Sequence, residues 1–316
     1  MNPPSATPAA GQSSFWAIGV DVGGTKIAAG LASFPKGEMH SRKQIPTQPE
    51  RGGEAVFSEV LRLCEELAAA AQEKHRYVNG IGIGVCELVD LDGHVVSENC
   101  ITWKNVPVRE HLSKLAPTVI EADVRAAALA EARFGAGRPF KQFLFVTVGT
   151  GISCCLMLNG QPFTGARGAT GTMASSSLRV PCEQCGNVSQ RTLEEIASGP
   201  GLVARYNELH PAAAETGQAV LAAAASGDTD AASIVRSGGE ALGSTMGLLV
   251  GTLDPEAVVV GGGLGLSEGL FWESFVSSTR RHIWSEIHRN LPIVHAATGL
   301  DAGLIGAAAA AWTKLS

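Results

Sequence analysis

The chain contains no apolar run approaching the roughly 20 residues that a membrane span needs. Residues 1–13 are rich in Pro, Ala, Ser and Gly and lack the apolar stretch of a signal peptide. Neither a membrane role nor a secretory leader is therefore expected, and these first residues read as a disordered tail. There is no basic block either: 24 Lys and Arg stand against 30 Asp and Glu. Bulk attraction to nucleic acid or to an acidic membrane is not expected from such a balance. The seven cysteines are odd in number and irregular in spacing. A chain of 316 residues buries enough core to do without disulfide staples, so reduced thiols in a cytoplasmic compartment are the reading.

What the chain does have is glycine in particular places. Asp21-Val22-Gly23-Gly24-Thr25-Lys26 follows the apolar run Trp16 to Val20 and precedes a second one, Ile27 to Leu31. The pattern predicts strand, tight turn, strand. Glycines let a backbone pass close to a ligand and aim its amides at phosphate oxygens. Asp21, at the end of the first strand, is placed to hold Mg²⁺ through water. The same stretch also reads as an ordinary hairpin with an acidic corner. Phe143 to Val148, Gly149-Thr150-Gly151 and Ile152 to Leu158 repeat the pattern, which suggests an internal duplication and two turns clamping a polyphosphate from opposite sides.

Between and beyond these turns, apolar spacing predicts an amphipathic helix over Gly52 to Lys74 and a buried strand over Val78 to Val85. A strand over Pro117 to Glu121 leads into Asp123, read as the N-cap of an alanine-rich helix, Val124 to Phe134. Leu193 to Leu253 reads as mainly helical, with breaks at Gly199-Pro200, His210-Pro211 and Gly227-Asp228. Ala257 to Val260 is a strand running into Gly261-Gly262-Gly263, and Asp301 to Trp312 is an Ala/Gly-rich helix suited to close packing.

With Trp103-Lys104-Asn105-Val106-Pro107 and Asp301-Ala302-Gly303-Leu304-Ile305-Gly306, these motifs form an ordered set. In it the chain, from Phe15 nearly to its end, resembles the ROK family of the actin-like sugar kinase superfamily. The resemblance implies an α/β fold of two RNase-H-like (actin-like) domains with a nucleotide cleft between them. Residues 15–122 would form the N-terminal domain, completed by the C-terminal helix 303–316. Residues 123–302 would form the second domain, with 1–14 as a tail. It implies ATP and Mg²⁺ as cofactors, with Asp21 supporting the metal and Gly23, Gly24, Thr25 and Lys26 at the phosphates. Gly149, Thr150 and Gly151 would form the second phosphate turn, and Gly261, Gly262 and Gly263 would lie against the adenosine. Asp123 matches the family's catalytic aspartate, which accepts the proton of the attacking sugar hydroxyl; Asn99 and Glu194 match sugar contacts. A homodimer is a family expectation.

The departures concern the acceptor. Ala122 stands where the family usually has Asn, and Arg125 replaces a neutral amide. The family's Gly-Glu-x-x-His is here Gly171-Thr172-Met173-Ala174-Ser175, so Thr172 and Ser175 replace the Glu and His that touch the sugar. Of the family's zinc cysteines only Cys185 remains, with Cys182 nearby and Thr192 at the third position. Two thiols fall short of the four ligands structural zinc takes, and zinc is not expected. Glu87, in a Cys86-Glu87 pair where the family has Pro-Gly, is expected to reach the pocket and partly replace the missing Glu. These changes point away from plain glucose and toward a differently substituted sugar or polyol, amino sugars and cyclitols among them. The alternative is a non-catalytic sensor of the same fold. DNA binding is not expected, since about a dozen residues before the first strand are too few for a helix-turn-helix.

Overall fold

The computed structural model describes residues 14–175, 180–181, 188–189 and 191–316. Strands β1 (Phe15–Val22), β2 (Lys26–Phe34) and β3 (Glu38–Pro46) form a meander, followed by helix α1 (Gly53–Glu73), β4 (Gly80–Val85), the short α2 (Val108–Leu112) and β5 (Thr118–Ala122). Their sheet runs β3-β2-β1-β4-β5, with β1, β4 and β5 parallel. Helix α3 (Asp123–Phe134) then leads to β6 (Gln142–Val148), β7 (Ile152–Leu158) and β8 (Gln161–Pro162). A ribbon of β9 (Val180–Pro181) and β10 (Val188–Ser189) precedes α4 (Leu193–Ala197), α5 (Gly199–Leu209), α6 (Gly217–Ala225) and α7 (Thr229–Leu253). The chain ends with β11 (Ala257–Gly261), α8 (Leu270–His282), α9 (Glu286–Arg289), β12 (Ile293–His295) and α10 (Ala302–Leu315). The second sheet runs β12-β11-β6-β7-β8, with β6, β11 and β12 parallel. Read from the other edge, this is the order of the first sheet, so the duplication predicted from the two glycine turns extends to the whole topology.

The helices after the last strand of each sheet change sides. Helix α10 follows β12 of the second sheet but packs on β1, β4 and β2 of the first. Its backbone comes so close that a Cβ on Gly19 would sit 2.3 Å from the Leu304 carbonyl oxygen, and one on Gly82 would sit 1.7 Å from that of Ala307. Close packing therefore explains both the strand glycines and the helix's run Ala307 to Ala311, which is buried. Helix α3, entered from β5, lays Val124, Ala127 and Ala128 on Phe143, Phe145 and Met157 of the second sheet. The two helices pack on each other and join the halves. Buried Glu131 of α3 fastens this junction by accepting the amides of Ala136, Ala297 and Thr298 at 2.7, 3.0 and 2.7 Å.

The helical region beyond residue 193 breaks where its Gly, Pro and Asp residues predict, into α4 to α7. Asp123 differs from its reading as an N-cap: Ala122 occupies that position and Asp123 is the first helical residue, its Oδ1 accepting the Val124 amide at 2.6 Å. Strand β3 carries four charged or amide side chains on an exposed edge and gave no apolar alternation to read.

Candidate active site

Both glycine turns are closed by their own backbone, Gly23 N–H to Lys26 O at 3.0 Å and Gly149 N–H to Gly151 O at 2.9 Å. Each is also held from outside. Thr47, buried just past β3, donates from Oγ1 to Gly23 O at 2.6 Å and from its amide to Thr25 O at 3.1 Å. Glu194 of α4 accepts the Ile152 amide at 2.8 Å, and the Gly199 amide donates to Gly149 O at 2.9 Å. The turns meet tip to tip, with Thr25 Oγ1 and Thr150 Oγ1 3.4 Å apart. The amides of Gly24, Thr25, Thr150 and Gly151 have no acceptor among the described residues, which is the arrangement an anion-binding nest requires.

A third wall comes from the end of β11. Gly262 has a φ of +84°, and a Cβ there would lie 2.4 Å from the Val148 carbonyl oxygen, so only glycine brings this corner against the second turn. A Cβ on Gly263 would stand 3.6 Å from Gln218 Nε2, and one on Gly217 would be 2.9 Å from Gly199 Cα. Gly199, Gly217 and Gln218 thus join the wall, although Gly199 reads only as a helix break in the sequence and the other two gave no signal. Thr47 gave no signal at all.

The carboxylates lie at the carboxyl ends of neighbouring strands, where open α/β sheets place their ligands. Asp21 of β1 is level with Gly84 of β4, and Gly84 with Glu121 of β5; Asp123 is two residues further on. A Cβ on Gly84 would be 3.6 Å from Asp123 Cα, which places Gly84 between β1 and the start of α3. The same register puts Thr147 opposite Gly261 in the second sheet, where the first has Asp21 opposite Gly84. At this level of the strands the carboxylates therefore come from the first sheet alone. Burial raises the pKa of Asp21 to about 6, with Lys26 opposing and Asp301 adding to the rise. Burial, then the charge of Asp21, raises Asp123 to about 7 against the pull of the Val124 amide. The N-terminus of α10 closes the floor, where a Cβ on Gly303 would come within 2.5 Å of Asp21 Oδ2. A hard oxygen donor whose negative charge is under-compensated, set beside unspent turn amides, fits a Mg²⁺-polyphosphate.

On the acceptor side, the sequence leads one to expect that Glu87 reaches the pocket and partly replaces the missing Glu. Instead, Glu87 is 4% exposed, its charge adds to the rise of the Asp123 pKa, and its carboxylate is taken up by the protein itself. Its Oε2 accepts the Ser97 hydroxyl and the Asn99 amide (2.9 Å for the latter), and its Oε1 accepts the amides of Cys100 and Ile101 at 2.5 and 2.8 Å. A carboxylate has about four acceptor positions, and all four hold the loop 97–101, leaving none for a substrate hydroxyl. Asn99 rides on that loop with its side chain exposed. Glu87→Ala is expected to cost about 3 kcal/mol of stability, since several donors lose their acceptor together. Urea unfolding checks this, and a change below about 1 kcal/mol would contradict the loop-anchoring role.

Thr172 and Ser175 are also exposed, on the turn around Met173–Ser175. Glu194 and Thr150 line one depression, so Glu194 reaches the second turn while Oε1 has no partner among the described residues. Cys182 and Cys185 lie outside the described residues. Thr192, at the third zinc position, caps α4 in a reciprocal pair with Glu195.

Residues 17–314 match the ROK family. A glucokinase of Halalkalibacterium halodurans is 27% identical over 92% of this chain and 93% of its own length. An N-acetylmannosamine kinase of Shigella boydii is 30% identical over 92% and 96%. The crystal structure of a ROK family glucokinase from Streptomyces griseus in complex with glucose and AMPPNP superposes with a TM-score of 0.79 at 28% identity, covering 94% of this chain and 99% of that one. The paired sheets with their crossed helices are accordingly the actin-like fold of sugar kinases. The chain belongs to the ROK family.

Proposed function

We propose that Asp123 is the general base with which this chain, an ATP-dependent carbohydrate kinase, passes a phosphoryl group to a hydroxyl of a sugar or sugar-like polyol. The observation that carries the proposal is the pairing of Asp21 and Asp123 across Gly84, at the foot of two facing phosphate turns. Phosphoryl transfer needs in-line positioning, neutralised phosphate charge and a base beside the nucleophile. Thr25, Thr150 and the turn amides would orient the phosphates, and the glycines 261–263 would let the adenosine lie on backbone. Asp21 would hold Mg²⁺ through water, and bound Mg²⁺ supplies charge neutralisation. Asp123, fixed at the start of α3 by the Val124 amide, accepts the acceptor's proton at a carboxylate oxygen.

The acceptor is read from what lines its side. Ala122 and saturated Glu87 offer it nothing, which leaves Asn99, Thr172, Ser175 and Glu194 Oε1 as the proposed contacts. Short hydroxyls in place of a Glu and a His leave room and remove charge. That supports an amino sugar or a cyclitol over plain glucose, and the N-acetylmannosamine kinase among the relatives is consistent with the first.

The test is a pH profile. A base works only when deprotonated, and Asp123 holds its proton below about 7. The profile of kcat/KM, which reports the free enzyme, is therefore expected to fall on an acid limb with its midpoint near pH 7. It should steepen below about 6 as Asp21 protonates. A flat profile from pH 5 to 8 would exclude Asp123 as the base.

A further inference from the structure

We infer that Arg125 is a positioning residue that sets the acceptor side of the site by fastening the loop before Thr172 to the loop after Glu87. The inference rests on the carbohydrate-kinase reading above. Arg125 lies in the first turn of α3, two residues past Asp123, and is 3% exposed. Each nitrogen of its guanidinium has a partner. Nε donates to Glu121 Oε1 at 2.5 Å, Nη1 to the Gly168 carbonyl at 2.7 Å, and Nη2 to the Val89 carbonyl at 2.7 Å. Gly168 precedes Thr172 on the far side of β8, whereas Val89 follows Glu87 beyond β4. One side chain thus holds loops from both halves against the helix that begins with Asp123.

The two loops also touch. Gly168 has a φ of +72°, and a Cβ there would come within 2.2 Å of the Val89 carbonyl oxygen and 2.8 Å of Asp90 Cα. Only with the backbones this close can one guanidinium reach both carbonyls. The charge is compensated locally by Glu121, whose second oxygen faces Lys314 of α10 at 3.4 Å.

Both loops lead to proposed acceptor contacts. From Val89 the chain runs back to Glu87, which holds the loop bearing Asn99. From Gly168 it runs forward to Gly171, whose carbonyl takes the Cys154 amide at 3.2 Å, and then to Thr172. The nucleotide walls have different anchors: Thr47 and Gly199 hold the turns, and β11 holds Gly262. Arg125 therefore holds the loops that lead to the acceptor contacts without touching the groups that face ATP. Lysine keeps the charge, but its single ammonium cannot reproduce the three-way fork.

The experiment uses Arg125→Lys and, as an independent route to the same junction, Gly168→Ala, which keeps the guanidinium and forces the loops apart. Both are assayed on the carbohydrate that wild type turns over best among hexoses, N-acetylhexosamines and cyclitols. The acceptor KM is expected to rise about tenfold in both, with kcat within about threefold and the ATP KM within about twofold of wild type. A merely structural lesion would move both KM values together, and that outcome, or an unchanged acceptor KM, overturns the inference. Hydrogen exchange on the acceptor-free proteins decides the case without turnover. Peptides over 88–94 and 163–171 should exchange faster in Arg125→Lys while 142–152 stays as in wild type; equal exchange in both loops overturns the inference. If wild type phosphorylates no carbohydrate, the kinase reading fails, while the exchange result still decides whether Arg125 holds the loops.

Discussion

Asp123→Asn is expected to retain nucleotide binding and to turn over at about a thousandth of the wild-type rate, the usual loss when a positioned base is removed. The substitution is close to isosteric, and the amide oxygen can still accept the Val124 N–H that fixes the side chain. The loss would therefore report the proton transfer and not a displaced helix. A second readout comes from stability. The Asp123 pKa is about 7 in the folded chain against 3.8 as the ordinary value. Between those pH values the folded protein holds a proton that the unfolded chain releases. The favourable contribution is complete below about 3.8 and is lost as pH rises through about 7. At pH 8 wild type bears the whole cost of a buried carboxylate that Asn avoids. Asp123→Asn should then be more stable by about 1–2 kcal/mol at pH 8, a figure reduced for water in the open cleft, and the gain should shrink toward pH 4. A variant that is slow but destabilised at pH 8 would indicate a structural aspartate.

Asp21→Asn should lower kcat by about a hundredfold at fixed Mg²⁺ and raise the Mg²⁺ concentration needed for half-maximal rate, because the oxygen proposed to support the ion loses its charge. The neighbourhood tolerates Asn sterically, since a group of the same shape already lies against Gly303. The field of Asp21 is also one cause of the high Asp123 pKa. Removing it should move the acid limb of the residual activity to lower pH, whereas a change confined to nucleotide binding would leave the limb in place. Initial rates over a Mg²⁺ series at several pH values separate the two, and an unmoved limb with unchanged Mg²⁺ dependence would remove Asp21 from the mechanism.

The nucleotide half of the site was legible in the sequence because it is built from local pattern. A strand, a glycine turn and a strand occupy one short stretch, and the repetition of that stretch announced the duplicated topology. Asp123 was legible locally only as an N-cap between a strand and a helix; its proposed role came with the family resemblance, and its place inside the helix depends on where β5 releases the chain. On the acceptor side the candidate contacts came from the family resemblance, whereas the groups that hold their loops were not legible. Glu87 reads as a residue after a strand, yet it holds backbone 12 to 14 residues away. Arg125 reads as an odd cation on an alanine helix, and its two carbonyl partners lie 43 and 36 residues off. Buried charged groups satisfied by distant carbonyls and amides leave no periodicity behind, so burial and hydrogen bonding had to be seen. Strand β3 escaped for another reason: an exposed edge strand keeps little apolar alternation to recognise.

Phosphoryl transfer from ATP to a carbohydrate hydroxyl with Asp123 as base is the reaction proposed for this site. The most direct measurement is ADP release by the purified protein across hexoses, N-acetylhexosamines and cyclitols, with Asp123→Asn alongside. The predicted result is acceptor-dependent ADP release on at least one of these, with an amino sugar or cyclitol preferred over glucose, and its near-complete loss in the variant. Turnover that survives in Asp123→Asn, or nucleotide binding without release on any acceptor, would contradict it.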